Sequence, residues 1–205
     1  MTGPDMTGPD MTDTTPDMTD ATPDPAAARV APREIVLALG SNLGDRLANL
    51  QAGIDALAAS GEITAVAVSG VFETSPVGGP DQPDFLNAVL LAVSGLPARA
   101  VLDRCQAAEQ ARGRMRTVRW GPRTLDIDII ACGDEVSDDP LLTLPHPRAH
   151  QRAFVLVPWH DVDPDARLPG FGPVAGLLAE AGEDGVRRRD LSLAVGRQAA
   201  ANQGG

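Results

Sequence analysis

Residues 34–59 read EIVLALGSNLGDRLANLQAGIDALAA, and the fold turns on how this stretch is parsed. Glu34 to Leu39 is a short apolar run of strand type, and Gly40-Ser41-Asn42 interrupts it with turn chemistry. Leu43, Leu47, Leu50, Ile54 and Leu57 then recur at three- and four-residue steps. That spacing predicts a helix over about 43–59 with one buried face. Downstream, Ile63 to Glu73 alternates Ile63, Ala65 and Ala67 and is rich in Val, and Phe85 to Val93 is rich in Leu and Val; both read as strands. The link between them, TSPVGGPDQPD over 74–84, is loop chemistry. Pro97 opens a second helix that runs through Leu102 and Cys105 to about Ala111. An arginine-rich loop follows, then a strand over about Leu125 to Ala131.

The resulting order, βαββαβ, predicts an α+β domain of ferredoxin-like type: a four-stranded antiparallel sheet with both helices on one face. The other face is then open to carry a site. Beyond Gly133 the chain is rich in Pro, with short helices expected near His150 to Val157 and Val174 to Ala181. Three parts are expected: an acidic disordered tail over 1–33, a catalytic domain over 34–170, and a helical C-terminal extension with a frayed end over 171–205. Within the extension, Arg187 to Arg189 are expected to be solvated.

The 205 residues carry 28 Asp and Glu against 17 basic residues, a net charge of -11, and every basic residue is Arg. A chain so acidic does not bind nucleic acid through bulk charge. Absence of lysine excludes Schiff-base chemistry and the P-loop, whose Lys reaches the β- and γ-phosphates. The acidity is uneven: residues 1–25 form a degenerate repeat, MTGPDMTGPDMTDTTPDMTDATPDP, with six Asp and no basic residue. Such a segment has too little apolar surface to fold. Cys105 and Cys132 stand apart from any CxxC or Cys/His zinc spacing and read as buried reduced thiols. The longest strictly apolar run, Ala88 to Val93, is far too short to span a membrane, and no basic segment precedes Arg29. A cytoplasmic monomer with no membrane or nucleic-acid partner is expected.

The chemistry is concentrated in residues 112–130, RGRMRTVRWGPRTLDIDII. Between Gln110 and Leu125 there are five arginines, Arg112, Arg114, Arg116, Arg119 and Arg123, and no acidic residue. Arg presents a planar fork of donors suited to phosphate oxygens, so this run predicts a polyphosphate site. Asp126 and Asp128 follow at i and i+2 on an apolar strand, which puts both carboxylates on one face, about 6.5–7 Å apart at Cα. Two carboxylates that close repel unless a cation lies between them, and Mg2+ favours a few carboxylates completed by substrate phosphates. Phe85 and Asn87 are likewise i and i+2, an aromatic ring beside an amide that both donates and accepts. Trp120 lies within the arginine loop and suits stacking or closure over a ligand. His146 and His150 are four apart, but Pro147 intervenes and no HExxH is present, which counts against zinc. Contact with a phosphate is the better use of His146.

Four ordered segments, LGSNLGDR (39–46), TSPVGGPDQPDFLN (74–87), GRMRTVRWGPRTLDIDI (113–129) and LPHPRAHQRAF (144–154), resemble the 6-hydroxymethyl-7,8-dihydropterin pyrophosphokinases of folate synthesis. The resemblance spans about residues 34–169. It implies the ferredoxin-like fold and transfer of the ATP β,γ-pyrophosphoryl group to the pterin hydroxymethyl oxygen, with release of AMP. By the same resemblance, Asp126 and Asp128 hold two Mg2+ ions around the triphosphate, and Arg114 and Arg123 stabilise charge on the transferred group. Gln106, Glu109, Arg116, Ile129, Thr143, His146 and Arg152 contact ATP. The pterin stacks between Phe85 and Phe154, with Asn87 and the loop around Thr74, Ser75 and Val77 reading its edge and Trp120 closing over it. The arginine loop is one residue shorter than in familiar members. Thr117 stands where a basic residue is common, and Leu141 and Pro147 replace an Arg and an aromatic that often help bind ATP.

Two other readings fit less well. A nucleotidyltransferase places its Gly-Ser turn shortly before the aspartate pair, whereas here Gly40-Ser41 precedes Asp126 by 85 residues. An RNA-binding βαββαβ module needs aromatics on a basic sheet face, whereas this chain has 3% aromatic residues and two aspartates on its last expected strand.

Overall fold

A computed structural model describes residues 30–76, 78, 80–113 and 121–196. The apolar run of the opening stretch forms β1 (Arg33–Ser41), and its helix is α1 (Arg46–Ala59), which starts later than the leucine spacing alone predicts. Asp45 sets that start: its side chain accepts from the Ala48 N–H, satisfying one of the donors a helix N-terminus leaves unpaired. Asn49, Leu50, Gly53, Ile54 and Leu57 form the buried face of α1. Each fully buried aliphatic side chain in such a face contributes roughly 1.5–3 kcal/mol. Gly53 is needed for close approach, because a Cβ there would meet Leu125 Cδ2 at 3.0 Å.

The expected long strand over 63–73 is two pieces, β2 (Ile63–Val68) and β3 (Val71–Thr74), and both lie along the same edge of β4 (Phe85–Ser94). Ser69 bridges the break by bonding both main-chain groups of Val89. The alternation expected for Ile63, Ala65 and Ala67 fails at a bulge. Ala65 opposes Ala92 and Ala67 opposes Leu91, so Val66 is squeezed out, 55% exposed, and Ala67 turns to the opposite face. After α2 (Ala98–Ala111) comes β5 (Asp126–Cys132), paired antiparallel with β1. The sheet order β2/β3–β4–β1–β5, all antiparallel, is the ferredoxin-like arrangement.

The second face, expected to be open, is covered over part of its area. A hairpin of β6 (Ser137–Asp139) and β7 (Leu142–Leu144) leads through a single 3₁₀ turn to α3 (Ala153–Val162). Val155, Leu156 and Trp159 of α3 bury against Val36, Val89, Leu91 and Ile130 of the sheet. This packing carries α3 through Pro158, beyond the expected end at Val157. A short pair, β8 (Arg167–Leu168) and β9 (Gly172–Pro173), precedes α4 (Val174–Ala181), which packs against α3 and the 3₁₀ turn and matches its expected bounds. The part expected to be a helical extension then adds β10 (Val186–Arg189), which pairs with β3 at the edge of the main sheet. Residues beyond it cross to α1, where Gln51 and Ala194 exchange two hydrogen bonds. The expected tail before Val30 and the frayed end after Gly196 lie outside the described residues.

Candidate active site

Residues paired across an antiparallel ladder share a face, so the register assembles the site directly. Gly40 of β1 opposes Asn87 of β4 on one side and Asp126 of β5 on the other. Phe72 opposes Asn87, and Thr74 opposes Phe85. Asp126, Asp128, Gly40, Phe85, Asn87 and Thr74 therefore line the same face, the one α3 covers only in part. Ile127 and Ile129 point the other way into the α1/α2 core, as the alternation requires. A Cβ on Gly40 would stand 3.5 Å from Asn87 Oδ1 and 3.7 Å from the Phe85 ring, so the missing side chain leaves a floor between the amide and the carboxylates.

Each aspartate is matched by an arginine. Arg123 pairs with Asp126, and Arg152 Nη1 lies 3.3 Å from Asp128 Oδ2. His146 Nε2 is 3.9 Å from the same Asp128 oxygen. Burial, and then the Arg152 and Arg148 guanidiniums, pull the His146 imidazole down to about 4, so it is neutral at pH 7. Its Nδ1 accepts from the Arg148 N–H at 3.2 Å, which leaves the proton on Nε2, 3.5 Å from Arg152 Nη1 and facing the same space above the carboxylates. Burial also pulls the Arg152 guanidinium down, with Asp128 opposing. The Arg152 guanidinium lies 5.3 Å from the centre of the Phe154 ring, which links the anion side of the site to an aromatic plane.

On the other side of Gly40, Asn87 Nδ2 donates to Thr74 Oγ1 at 2.9 Å, fixing the amide so that its Oδ1 faces the floor. Ser75 is exposed at the head of the 75–84 loop. Asn42, 2% exposed, joins the two halves. Its Oδ1 accepts from the Arg123 N–H at 2.7 Å, while its Nδ2 donates to Gln82 Oε1 and Pro83 O at 3.0 and 3.1 Å. Ser41 Oγ adds a 2.6 Å bond to Thr124 O. The turn after β1 thus holds both the arginine that precedes Asp126 and the return limb of the loop. Locally Gly40-Ser41-Asn42 reads as turn chemistry leading into a helix; its bonding role depends on partners 40 or more residues away, which no local pattern announces.

Several expected site residues have other duties. Glu109 is 3% exposed, and its carboxylate accepts from the Ile127 N–H at 2.8 Å, which fixes the start of β5 from within the fold. Ile129 is 4% exposed, so only its main chain is left for a ligand. Arg112, the first of the five loop arginines, stays exposed but donates to Asn49 Oδ1 at 2.6 Å, tying the end of α2 to α1. Thr143 lies on β7 with its hydroxyl on Asp139 O at 3.1 Å, and Gln106 is half-buried on α2. Val77, Arg114, Arg116, Arg119 and Trp120 lie outside the described residues.

A ferredoxin-like sheet that carries paired aspartates beside arginines and a polar-aromatic floor defines an enzyme of nucleotide-dependent phosphoryl or pyrophosphoryl transfer. The family model for 7,8-dihydro-6-hydroxymethylpterin-pyrophosphokinase (HPPK) matches residues 36–164. The chain is similar to 2-amino-4-hydroxy-6-hydroxymethyldihydropteridine pyrophosphokinase of Mycobacterium tuberculosis, 47% identical over 169 residues that cover 75% of this chain and 88% of that one. Similarity to the same-named proteins of Mycobacterium leprae (45% identical, 82% and 94% covered) and Pseudomonas aeruginosa (42% identical, 76% and 96% covered) is comparable. The chain belongs to the HPPK family. A crystal structure of Plasmodium falciparum HPPK-DHPS aligns with a TM-score of 0.56 at 13% identity, covering 73% of this chain. The chain spans 44% of that longer protein, and the likeness bears on the fold alone.

Proposed function

We propose that this chain transfers pyrophosphate from ATP to the hydroxymethyl group of 6-hydroxymethyl-7,8-dihydropterin, giving AMP and the pterin diphosphate in folate biosynthesis. The observation that carries the reading is the register at Gly40, which borders Asn87 on one side and Asp126 on the other. A flat heterocycle held over Phe85 and Asn87 thereby adjoins a carboxylate and arginine cluster suited to a triphosphate. In the reaction the hydroxymethyl oxygen attacks the β-phosphorus and its proton passes to solvent, the bond from that phosphorus to the α,β-bridging oxygen breaks, and AMP leaves with that oxygen. Such transfers depend on positioning and charge stabilisation more than on covalent chemistry by the protein.

Asp126 and Asp128 would hold two Mg2+ ions. Among the described residues no third His, Cys, Asp or Glu joins them, so the remaining positions fall to phosphate oxygens and water, as Mg2+ prefers. Bound there, the ions neutralise charge on the triphosphate. Arg123 and Arg152 balance the aspartates, and with metal bound at the carboxylates both guanidiniums would be available to phosphate oxygens. Neutral His146 donates from Nε2 without adding charge, Arg114 and Arg116 grip phosphates, and Gln106, Thr143 and the Ile129 main chain hold the nucleoside. Phe154 stacks on the pterin opposite Phe85, Thr74, Ser75 and Val77 read its edge, and Trp120 closes the site.

No helix among the described residues is long and apolar enough to cross a membrane, and both cysteines are buried free thiols. The net charge of -11 counts against a nucleic-acid partner bound through bulk charge, and the proposal extends to a cytoplasmic monomer acting on small molecules without a membrane partner. The test supplies ATP, Mg2+ and the hydroxymethyldihydropterin and separates the nucleotides formed. AMP with loss of the free pterin supports the reading. ADP would mean transfer of a single phosphoryl group, and no turnover would leave the site a binding site.

A further inference from the structure

The C-terminal strand β10 lies outside the segment matched by the family model, yet it touches both roots of the 75–84 loop. Val186 opposes Thr74, the last residue of β3 before the loop departs. One residue on, the Arg187 guanidinium reaches Asp84 Oδ2 at 3.0 Å, immediately before the loop re-enters the sheet at Phe85. The same Arg187 opposes Glu73 in the ladder, and its guanidinium lies 3.5 Å from that carboxylate. Glu73 is 8% exposed and gathers three arginines: Arg187, Arg189 at 3.0 Å from β10, and Arg46 at 3.1 Å from α1. Arg46 also donates to Asp84 O at 2.7 Å.

A buried carboxylate must be matched, and three cations around one carboxylate leave positive charge for a further acceptor. Asp84 supplies it. The strand is itself held at both flanks. Arg188 pairs with Asp161 of α3 and lies 5.6 Å from the centre of the Phe72 ring, and the chain beyond is tied to α1 through Gln51 and Ala194. An edge strand with one short partner gains little from its own four residues, so its fixed seating comes from these side-chain ties.

We propose that β10 is a positioning strap for the pterin half of the site, with Arg187 the positioning residue that couples Glu73 to Asp84 and so sets the span between Thr74 and Phe85. The proposal rests on the reading of that face as the pterin site. It acts on pterin affinity and leaves the carboxylate and arginine side, on the far side of Gly40, unaffected.

The test compares the full-length wild-type chain with Arg187→Gln, Arg187→Lys and Asp84→Asn. It measures the dissociation constant for 6-hydroxymethylpterin by its fluorescence with a non-hydrolysable ATP analogue and Mg2+ present, the affinity for the analogue, and the melting temperature. Arg187 is 60% exposed, so the expected rise in the pterin constant for Arg187→Gln is modest, about three- to fivefold. Analogue affinity and melting temperature should hold, and Lys should recover most of the loss. Combining Arg187→Gln with Asp84→Asn should weaken pterin binding no further than the single changes, because the two residues act through one contact. Unchanged pterin binding, or fully additive losses, or parallel loss of pterin, nucleotide and thermal stability would each overturn the strap. Absence of pterin binding by the wild-type chain would overturn the reading of the site itself.

Discussion

Replacing Asn42 by Ala removes one side chain and three hydrogen bonds at once. In the structure Asn42 Oδ1 takes the Arg123 N–H at 2.7 Å, and Nδ2 serves Gln82 Oε1 and Pro83 O at 3.0 and 3.1 Å. The side chain is 2% exposed, so water does not readily replace these partners. A typical net hydrogen bond contributes about 0.5–1.5 kcal/mol, and a buried group left without its partner costs about 1–3 kcal/mol. Because the Asn42 N–H to Arg123 O bond is main chain and survives the change, the expected loss is about 2–4 kcal/mol rather than the full sum. For a domain of this size that corresponds to a fall in melting temperature of roughly 5–15 °C. Urea denaturation followed by fluorescence gives the free energy, with an unchanged slope marking a change of stability rather than of compactness. Both ligand affinities should fall together, since the Arg123 segment and the 82–84 limb lose the same anchor. A stability loss below about 1 kcal/mol would refute the claim that Asn42 ties the two halves of the site.

Asp128→Asn removes charge where Arg152 and His146 converge; turnover should fall roughly 10²–10³-fold while pterin affinity stays nearly constant, and near-normal turnover would remove Asp128 from the chemistry. His146 should titrate by NMR with a midpoint of about 4. Since that lies below the ordinary value of about 6.5, the folded state binds fewer protons in between, so this residue's contribution to stability is present above pH 6.5 and is lost as pH falls toward 4. Arg152→Gln should raise the midpoint, yet leave it below 6.5 because burial is the first cause. Gly40→Ala adds a Cβ at ordinary contact distance from Asn87 and Phe85, so the fold should tolerate it, while pterin binding weakens on the order of tenfold because the floor is filled. Equal pterin affinity in that variant, read by fluorescence titration, would move the ligand off Gly40.

Local periodicity made the main sheet and its first two helices legible. Leu47, Leu50, Ile54 and Leu57 mark α1 because a helix must bury one stripe, and Asp126 and Asp128 read as one face because a strand alternates. What stayed hidden depends on contacts distant in sequence. The bulge at Val66 is set by register against β4, and no property of the Val itself announces it. The strand β10 reads VRRR, which in isolation is a solvated basic run; it becomes a strand only because β3 offers an edge and Glu73, Asp84 and Asp161 offer counter-charges. Coverage of the second face by α3 was missed for a related reason. Pro158 reads as a helix stop, and only the burial of Val155, Leu156 and Trp159 carries the helix through it. Within the site, residue type alone did not separate Arg123, which pairs with Asp126, from Glu109 and Arg112, whose polar groups are taken by the Ile127 N–H and by Asn49.

In the proposed reaction the carboxylate and arginine cluster and the floor at Gly40 together move an intact pyrophosphoryl group. Phosphorus-31 NMR of the wild-type chain with ATP, Mg2+ and 6-hydroxymethyl-7,8-dihydropterin tests it most directly. The predicted spectrum loses the ATP resonances and gains that of AMP together with two mutually coupled phosphorus resonances on the pterin. A single uncoupled pterin phosphate with ADP, or ATP left unchanged, would contradict it.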